Sequence, residues 1–183
     1  MNKPTVMVYA GPNGSGKSTI TAGYPIKGIY VNADIIKQHR QCSDIEAAEE
    51  AEAIRESLLA SSKDFTFETV LSTERNLLLL EKAKNSGYRI ESIFVLTVDA
   101  ELNIERVKTR VIQGGHDVPA DKIRSRYIKS LQMLKRLAAI SDSCIVIDNT
   151  YRPEIIYKND ENGEIYLAND YWEISEIKEL IQG

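Results

Sequence analysis

The sequence predicts an α/β fold: a parallel five-stranded sheet with helices on both faces, followed by a C-terminal β-hairpin. Three observations carry this expectation. Short apolar runs alternate with longer helix-like stretches along the chain. A glycine-rich turn follows the first run directly. Charged residues then gather where the runs end, which is the edge at which such sheets bind ligands. The 183 residues, 43% of them hydrophobic, suit one domain over 1–183 with a sizeable core.

Thr5–Ala10 (TVMVYA) reads as a short buried strand. A helix is expected from near Lys17 to just before Pro25, and Gly28–Val31 is a second strand that closes on Asn32-Ala33-Asp34. Ser43 and Glu46 have capping-box spacing, which predicts a helix over Asp44–Ser61. Phe65–Val70 is the third strand, and Thr73–Ser86 is a helix stopped by Gly87. Arg89–Val98 is the fourth strand, and Asp99 suits the cap of a helix running to about Gln113. Residues 114–119 (GGHDVP) form a loop, and Pro119 suits the first turn of a helix reaching about Ile140. Cys144–Asp148 is the fifth strand. Ile155–Lys158 and Glu164–Leu167 flank an Asn/Asp/Gly turn and read as a hairpin, and a last amphipathic helix is expected over Ser175–Ile181. The tail from about 151 to 183 thus differs in character from the alternating core. Gly11, Asp34, Glu68 and Asp148 all fall at the carboxyl edge of the expected sheet.

Composition narrows the function. No apolar run approaches the ~20 residues needed to span a bilayer. Residues 1–6 lack the charged region, long apolar region and cleavage site of a signal peptide, so a cytoplasmic, membrane-free protein is expected. The two cysteines, Cys42 and Cys144, have no metal or disulfide spacing; Cys144 reads as core and Cys42 as an incidental thiol. Net charge is −4, yet residues 104–136 hold nine Lys/Arg against three Asp/Glu. A local basic segment in an acidic chain suits a compact polyanion such as a nucleotide, and argues against a broad nucleic-acid surface.

Residues 11–18 read Gly-Pro-Asn-Gly-Ser-Gly-Lys-Ser, filling every fixed position of the phosphate-binding loop G-x-x-x-x-G-K-[ST], with a strand before and a helix after. In this reading Gly11, Asn13, Gly14, Ser15 and Gly16 bring backbone N–H groups around the β-phosphate of ATP, and the helix N-terminus adds partial positive charge. Lys17 reaches the β- and γ-phosphates, Ser18 ligates Mg2+, and Thr19 lies near the α-phosphate. The motif predicts nucleotide binding without distinguishing a kinase from an ATPase or a switch.

Further residues favour a kinase. Asp34 places a carboxylate where a base would take the proton of an acceptor hydroxyl; its plainer role is to cap a helix starting at Ile35. Glu68 suits a water-mediated magnesium contact or an acceptor contact, or is an ordinary strand-end charge, and Thr69, Ser72 and Thr73 add hydroxyls to its loop. Arg106 and Arg110 share a helix face, and Arg124 and Arg126 lie beyond the 114–119 loop, so a lid over about 104–136 would bring arginines to the transferring phosphoryl group. Being two apart, Arg124 and Arg126 point in different directions. All four arginines have a plainer reading as solvated charge. His116, lacking partners, reads as a loop residue.

The motifs Gly-Pro-Asn-Gly-Ser-Gly-Lys-Ser-Thr (11–19), Asn32-Ala33-Asp34, Phe67-Glu68-Thr69, Gly-Gly-His-Asp-Val-Pro (114–119) with Ile123, Arg126-Tyr127 and Ser130, and Asp148-Asn149 together resemble the zeta-toxin-like P-loop kinases over roughly residues 4–150. The resemblance implies a nucleoside-kinase-like P-loop fold and ATP-dependent phosphorylation of a hydroxyl on a UDP-amino sugar. It implies Asp34 as base, Glu68 as the substrate-side glutamate, and Arg110 and Arg126 as phosphate-binding arginines. Nothing in the residues points to an antitoxin partner. Other acceptors (a sugar acid, an antibiotic, a nucleic-acid end) stay open, as does a nucleotide-dependent regulatory module, which would have no need of an acceptor-side base.

Overall fold

A computed structural model describes residues 3–183; residues 1 and 2, which open the segment read above as lacking a signal peptide, lie outside it. The elements run β1 (Thr5–Ala10), α1 (Lys17–Thr21), β2 (Ile29–Val31), α2 (Ala33–Arg40), α3 (Asp44–Ala60), β3 (Phe65–Thr69), α4 (Arg75–Asn85), β4 (Arg89–Leu96), α5 (Ala100–Ile112), α6 (Ala120–Ile140), β5 (Ser143–Asp148), β6 (Glu154–Asp160), β7 (Gly163–Tyr166) and α7 (Ile174–Gln182). The strand–helix alternation expected from the sequence is therefore present throughout the core.

One sheet holds all seven strands in the order β2-β3-β1-β4-β5-β6-β7. The first five are parallel, as expected. The hairpin β6–β7 corrects the five-stranded expectation: it extends the same sheet antiparallel to β5 rather than standing apart. The physical reason is that β5 would otherwise leave an open edge of unpaired backbone groups. After β1 the chain crosses to β2 on one side, and after β3 it crosses to β4 on the other, so strand order reverses beside β1. A crevice opens at the carboxyl end there.

Helices cover both faces. All six residues of β1 are buried, as a central parallel strand requires. Val6, Val8, Phe65, Phe67, Phe94, Leu77, Leu80, Leu134 and Leu137 form the main core on one face, and Met7, Tyr9, Ile20, Ile93, Val95 and Ile147 form a second on the other. Ile104, Val107, Val118 and Ile123 clamp α5 to α6 around the 114–119 loop. Arg55 of α3 lies over the Phe67 ring, 5.1 Å from its centroid, a cation–π contact beneath β3, the strand that carries Glu68.

Local capping rules hold in part. Ser43 and Glu46 form the capping box of α3, and Asp99 accepts from the Leu102 N–H to cap α5. The cap of α2 is different from expectation. Asn32 accepts from the Asp34 N–H at 2.8 Å, so α2 begins at Ala33 and Asp34 lies inside its first turn. Helix α1 is shorter than expected, ending at Thr21, with turn bonds Gly23 N–H to Ile20 O and Tyr24 N–H to Thr21 O carrying the chain on. Among the described residues no helix is long and apolar enough to cross a membrane.

Candidate active site

A cleft of about 440 Å³ opens at the carboxyl edge of the sheet, lined by the loop after β1, the start of α2, the end of β3, α5 and Asn149. Its floor is the loop 11–18. Gly14 and Gly16 have φ of 80° and 90°, values that side-chain-bearing residues rarely adopt. A Cβ on Gly14 would also come within 2.5 Å of the Asn103 carbonyl oxygen, and one on Gly16 would strike the Asn149 amide. The loop is thus pressed between α5 and the end of β5. Asn149 Nδ2 donates to the Ser15 carbonyl at 2.8 Å, and the Gly11 N–H donates to the Thr69 carbonyl at 3.2 Å. The N–H groups of Asn13, Gly14 and Gly16 find no acceptor among the described residues. The Ser15 hydroxyl is buried without a partner. A ring of unpaired donors in a tight loop fits an anion with several oxygens.

Lys17 folds back over this loop, its Nζ donating to the carbonyls of Gly11 at 2.7 Å and Pro12 at 2.9 Å. Burial pushes its ammonium down to about 8, with Glu68 pulling up, Arg110 pushing down and Asp34 pulling up by lesser amounts. Because α1 has only five residues, its macrodipole is short; the positive field at the loop comes from the N–H groups and Lys17.

Opposite the loop stand the two carboxylates. Asp34 lines the cleft and is exposed to it. Its role as helix cap is taken by Asn32, which leaves the Asp34 side chain without a structural duty of that kind. Glu68 also lines the cleft, and both of its oxygens are engaged: Oε1 accepts from the Tyr30 hydroxyl at 2.6 Å and Oε2 from the Ser18 hydroxyl at 3.2 Å. Thr69 lines the cleft as well, but its hydroxyl is occupied by the Leu71 N–H and Asn76 Nδ2 in the turn that leads to α4. Thr73 is exposed and is not among the lining residues. Asp148 is buried and spent on Thr150 and Asn169, so it braces the loop after β5 instead of facing the cleft. Thr19 is exposed beside Ser18 on the cleft wall.

Of the four arginines, Arg106 and Arg110 both line the cleft. Arg106 donates to the carbonyls of Asn149 and Thr150 at 2.8 and 2.9 Å, and Arg110 donates to the His116 carbonyl at 2.7 Å. Arg126 reaches the loop itself, donating to Asn13 Oδ1 at 3.4 Å. Arg124 turns the other way and forms a two-point pair with Glu101 at 2.6 and 2.9 Å, as the two-residue spacing requires. His116 contributes its carbonyl here, and its exposed imidazole is not among the lining residues. Tyr30 was not visible from the sequence, since a single tyrosine in a short strand carries no motif; Asn149 was visible only as part of Asp148-Asn149.

Among the described residues no group of three His, Cys, Asp or Glu side chains forms a metal cage. Magnesium in nucleotide sites is held by few protein ligands together with phosphates and water. Ser18 with Glu68 beside it therefore fits that manner of binding.

A family model described as zeta toxin matches residues 37–170, about three quarters of the chain. The match begins beyond loop 11–18 and Asp34, so those residues stand on their own spacing and placement. An uncharacterized protein of Haemophilus influenzae (strain Rd) is 28% identical over 125 residues, covering 65% of this chain and 89% of that protein. A chain from the PezAT chromosomal toxin–antitoxin system of the human pathogen Streptococcus pneumoniae is similar in fold, with a TM-score of 0.61, 18% identity, and 100% of this chain covering 80% of that one. A chain of the AvrRxo1-ORF1:-ORF2 complex with ATP gives a TM-score of 0.72 at 17% identity, 98% of this chain covering 63% of that chain.

Proposed function

The chain belongs to the zeta toxin family, and on that premise we propose that it is an ATP- and magnesium-dependent phosphotransferase acting on a hydroxyl of a small molecule. The observation that carries the reading is the meeting, in one cleft, of an anion-binding loop, a lysine, a free carboxylate and an arginine: loop 11–16, Lys17, Asp34 and Arg110. A nucleotide-binding switch would need the first two alone.

The residues divide the chemistry as follows. Loop 11–16 and Lys17 hold the β- and γ-phosphates of ATP, and Ser18 with Glu68 beside it would hold magnesium. When bound, the metal neutralises negative charge on the phosphate oxygens. Asp34 accepts the proton of the acceptor hydroxyl as its oxygen bonds to the γ-phosphorus; the bond from that phosphorus to the bridging oxygen breaks, and ADP leaves with the electron pair. Lys17, Arg110 and Arg126 compensate the charge carried by the transferring group. Arg106, fixed on the carbonyls of Asn149 and Thr150, braces the loop after β5 against α5.

A UDP-amino sugar is the first acceptor to test, because the family resemblance names it. The test is an ATP-consumption screen across UDP-sugars, free sugars and oligonucleotides, with product mass as the readout. The expected result is a product heavier by one phosphoryl group. ATP binding without transfer to any acceptor, under conditions where the protein is folded, would favour a regulatory module instead.

A further inference from the structure

We propose that Tyr30 is a positioning residue that couples the metal side of the cleft to its acceptor side. The proposal rests on the reading of this cleft as an ATP–magnesium site.

Tyr30 of β2 stands opposite Thr66 of β3. Glu68 is two residues further along β3, on the same face, a diagonal distance that an aromatic side chain spans. The phenol therefore meets the carboxylate and donates to Oε1 at 2.6 Å. Asn32 Nδ2 donates to the same phenol oxygen at 3.0 Å, while its Oδ1 accepts from the Asp34 N–H at 2.8 Å. On the other side, Glu68 Oε2 accepts from Ser18 at 3.2 Å. One unbroken chain of hydrogen bonds thus runs Ser18–Glu68–Tyr30–Asn32–Asp34. It joins the hydroxyl expected to meet magnesium with the backbone of the residue expected to act as base.

Each link has a direction. A carboxylate pinned at one oxygen by a short charge-assisted bond cannot swing freely, so its other oxygen stays turned toward Ser18. Asn32, giving its NH₂ to Tyr30, is left with its carbonyl oxygen aimed at Asp34. The same amide thereby caps α2 and sets where the base begins. A tyrosine in this place holds the two halves in one relative position.

The test is Tyr30→Phe, which removes only the hydroxyl. Affinity for Mn2+ in the complex with a non-hydrolysable ATP analogue is read by electron paramagnetic resonance, and ATP affinity without metal by calorimetry. We expect Mn2+ binding to weaken by about tenfold, the low end for losing a group that orients a metal's surroundings, with metal-free ATP affinity unchanged. Combined with Glu68→Gln, Tyr30→Phe should add nothing, because the phenol acts through that carboxylate. Asn32→Asp is the second variant. It keeps the cap oxygen but loses the NH₂ donor and offers the phenol a competing acceptor, so it should weaken Mn2+ binding in the same direction even if Tyr30→Phe does not fold. Wild-type Mn2+ affinity in whichever variants fold, or additive losses with Glu68→Gln, would overturn the proposal while leaving the nucleotide reading intact. Failure of the wild-type protein to bind ATP would overturn both.

Discussion

The hydroxyl of Ser18 donates to Oε2 of Glu68 at 3.2 Å, joining the end of the phosphate loop to the end of the third strand, fifty residues away. That contact brings the two sides of the cleft within one hydrogen bond of each other.

Replacing Lys17 by Ala removes a cation from the loop while leaving its backbone donors. ATP affinity, measured by calorimetry with magnesium, should fall by about 10- to 100-fold, as expected for a lost charge-assisted bond. Unchanged affinity in a folded variant would remove the loop from nucleotide binding.

The depressed ammonium of Lys17 makes a pH prediction for the nucleotide-free protein. Its value is about 8 when folded against an ordinary 10.5, so the unfolded chain holds more protons between those two values, and stability rises with pH across that window. Below about 8 the cost of burying the charge is present in full. Lys17→Met should therefore melt higher than wild type at pH 7, and the gap should close as pH rises from about 8 towards 10.5. A gap independent of pH would mean that the ammonium is not desolvated as described.

Gly14→Ala tests the loop's close approach. The added methyl meets the Asn103 carbonyl, and the backbone sits at positive φ. The loop must shift, and ATP affinity should drop by about tenfold or more, with a loss in stability of about 1 kcal/mol or more from the strained backbone alone. Wild-type behaviour in both measurements would show that the loop relaxes freely.

Arg110→Ala and Arg126→Ala should each lower turnover by about 10²-fold or more, with smaller effects on ATP affinity, since cations aimed at the transferring group act in the transition state. Arg124→Ala is the control. Its pair with Glu101 is exposed and faces away from Arg126, so neither activity nor stability should move much. Equal losses in all three variants would sink the distinction.

Asp34→Asn decides between kinase and switch. Asn32, not Asp34, caps α2, so the fold should be unaffected by the change, whereas Asn32→Ala should cost about 1 kcal/mol through the lost cap. If Asp34 is the base, phosphoryl transfer in Asp34→Asn falls by ~10²–10⁴-fold with ATP affinity nearly unchanged. Transfer within a few-fold of wild type would take Asp34 out of the mechanism.

What the sequence determined by itself was whatever depends on neighbours a few residues apart. The spacing of Gly11, Gly16, Lys17 and Ser18, the capping box of Ser43 with Glu46, the cap at Asp99, and the alternation of strands and helices are all local, and each has its own chemical signature. The divergence of Arg124 from Arg126 is local too, following from helical geometry. Even the misplaced cap of α2 was a local matter, decided between two good capping residues, Asn32 and Asp34, by where the strand before them stops. The tertiary structure decided the rest, because strand order and register bring together residues that no spacing relates. Only the pairing of β2 with β3 puts Tyr30 beside Glu68, and only the nearness of the end of β5 to the loop gives the Ser15 carbonyl to Asn149. The open edge of β5 draws the hairpin into the sheet, and the packing of α6 over the loop sends Arg126 to Asn13. The side-chain contacts among these join residues across 38 to 134 positions of chain, and their partners are chosen by the packing of the sheet and its helices, not by the sequence around either one.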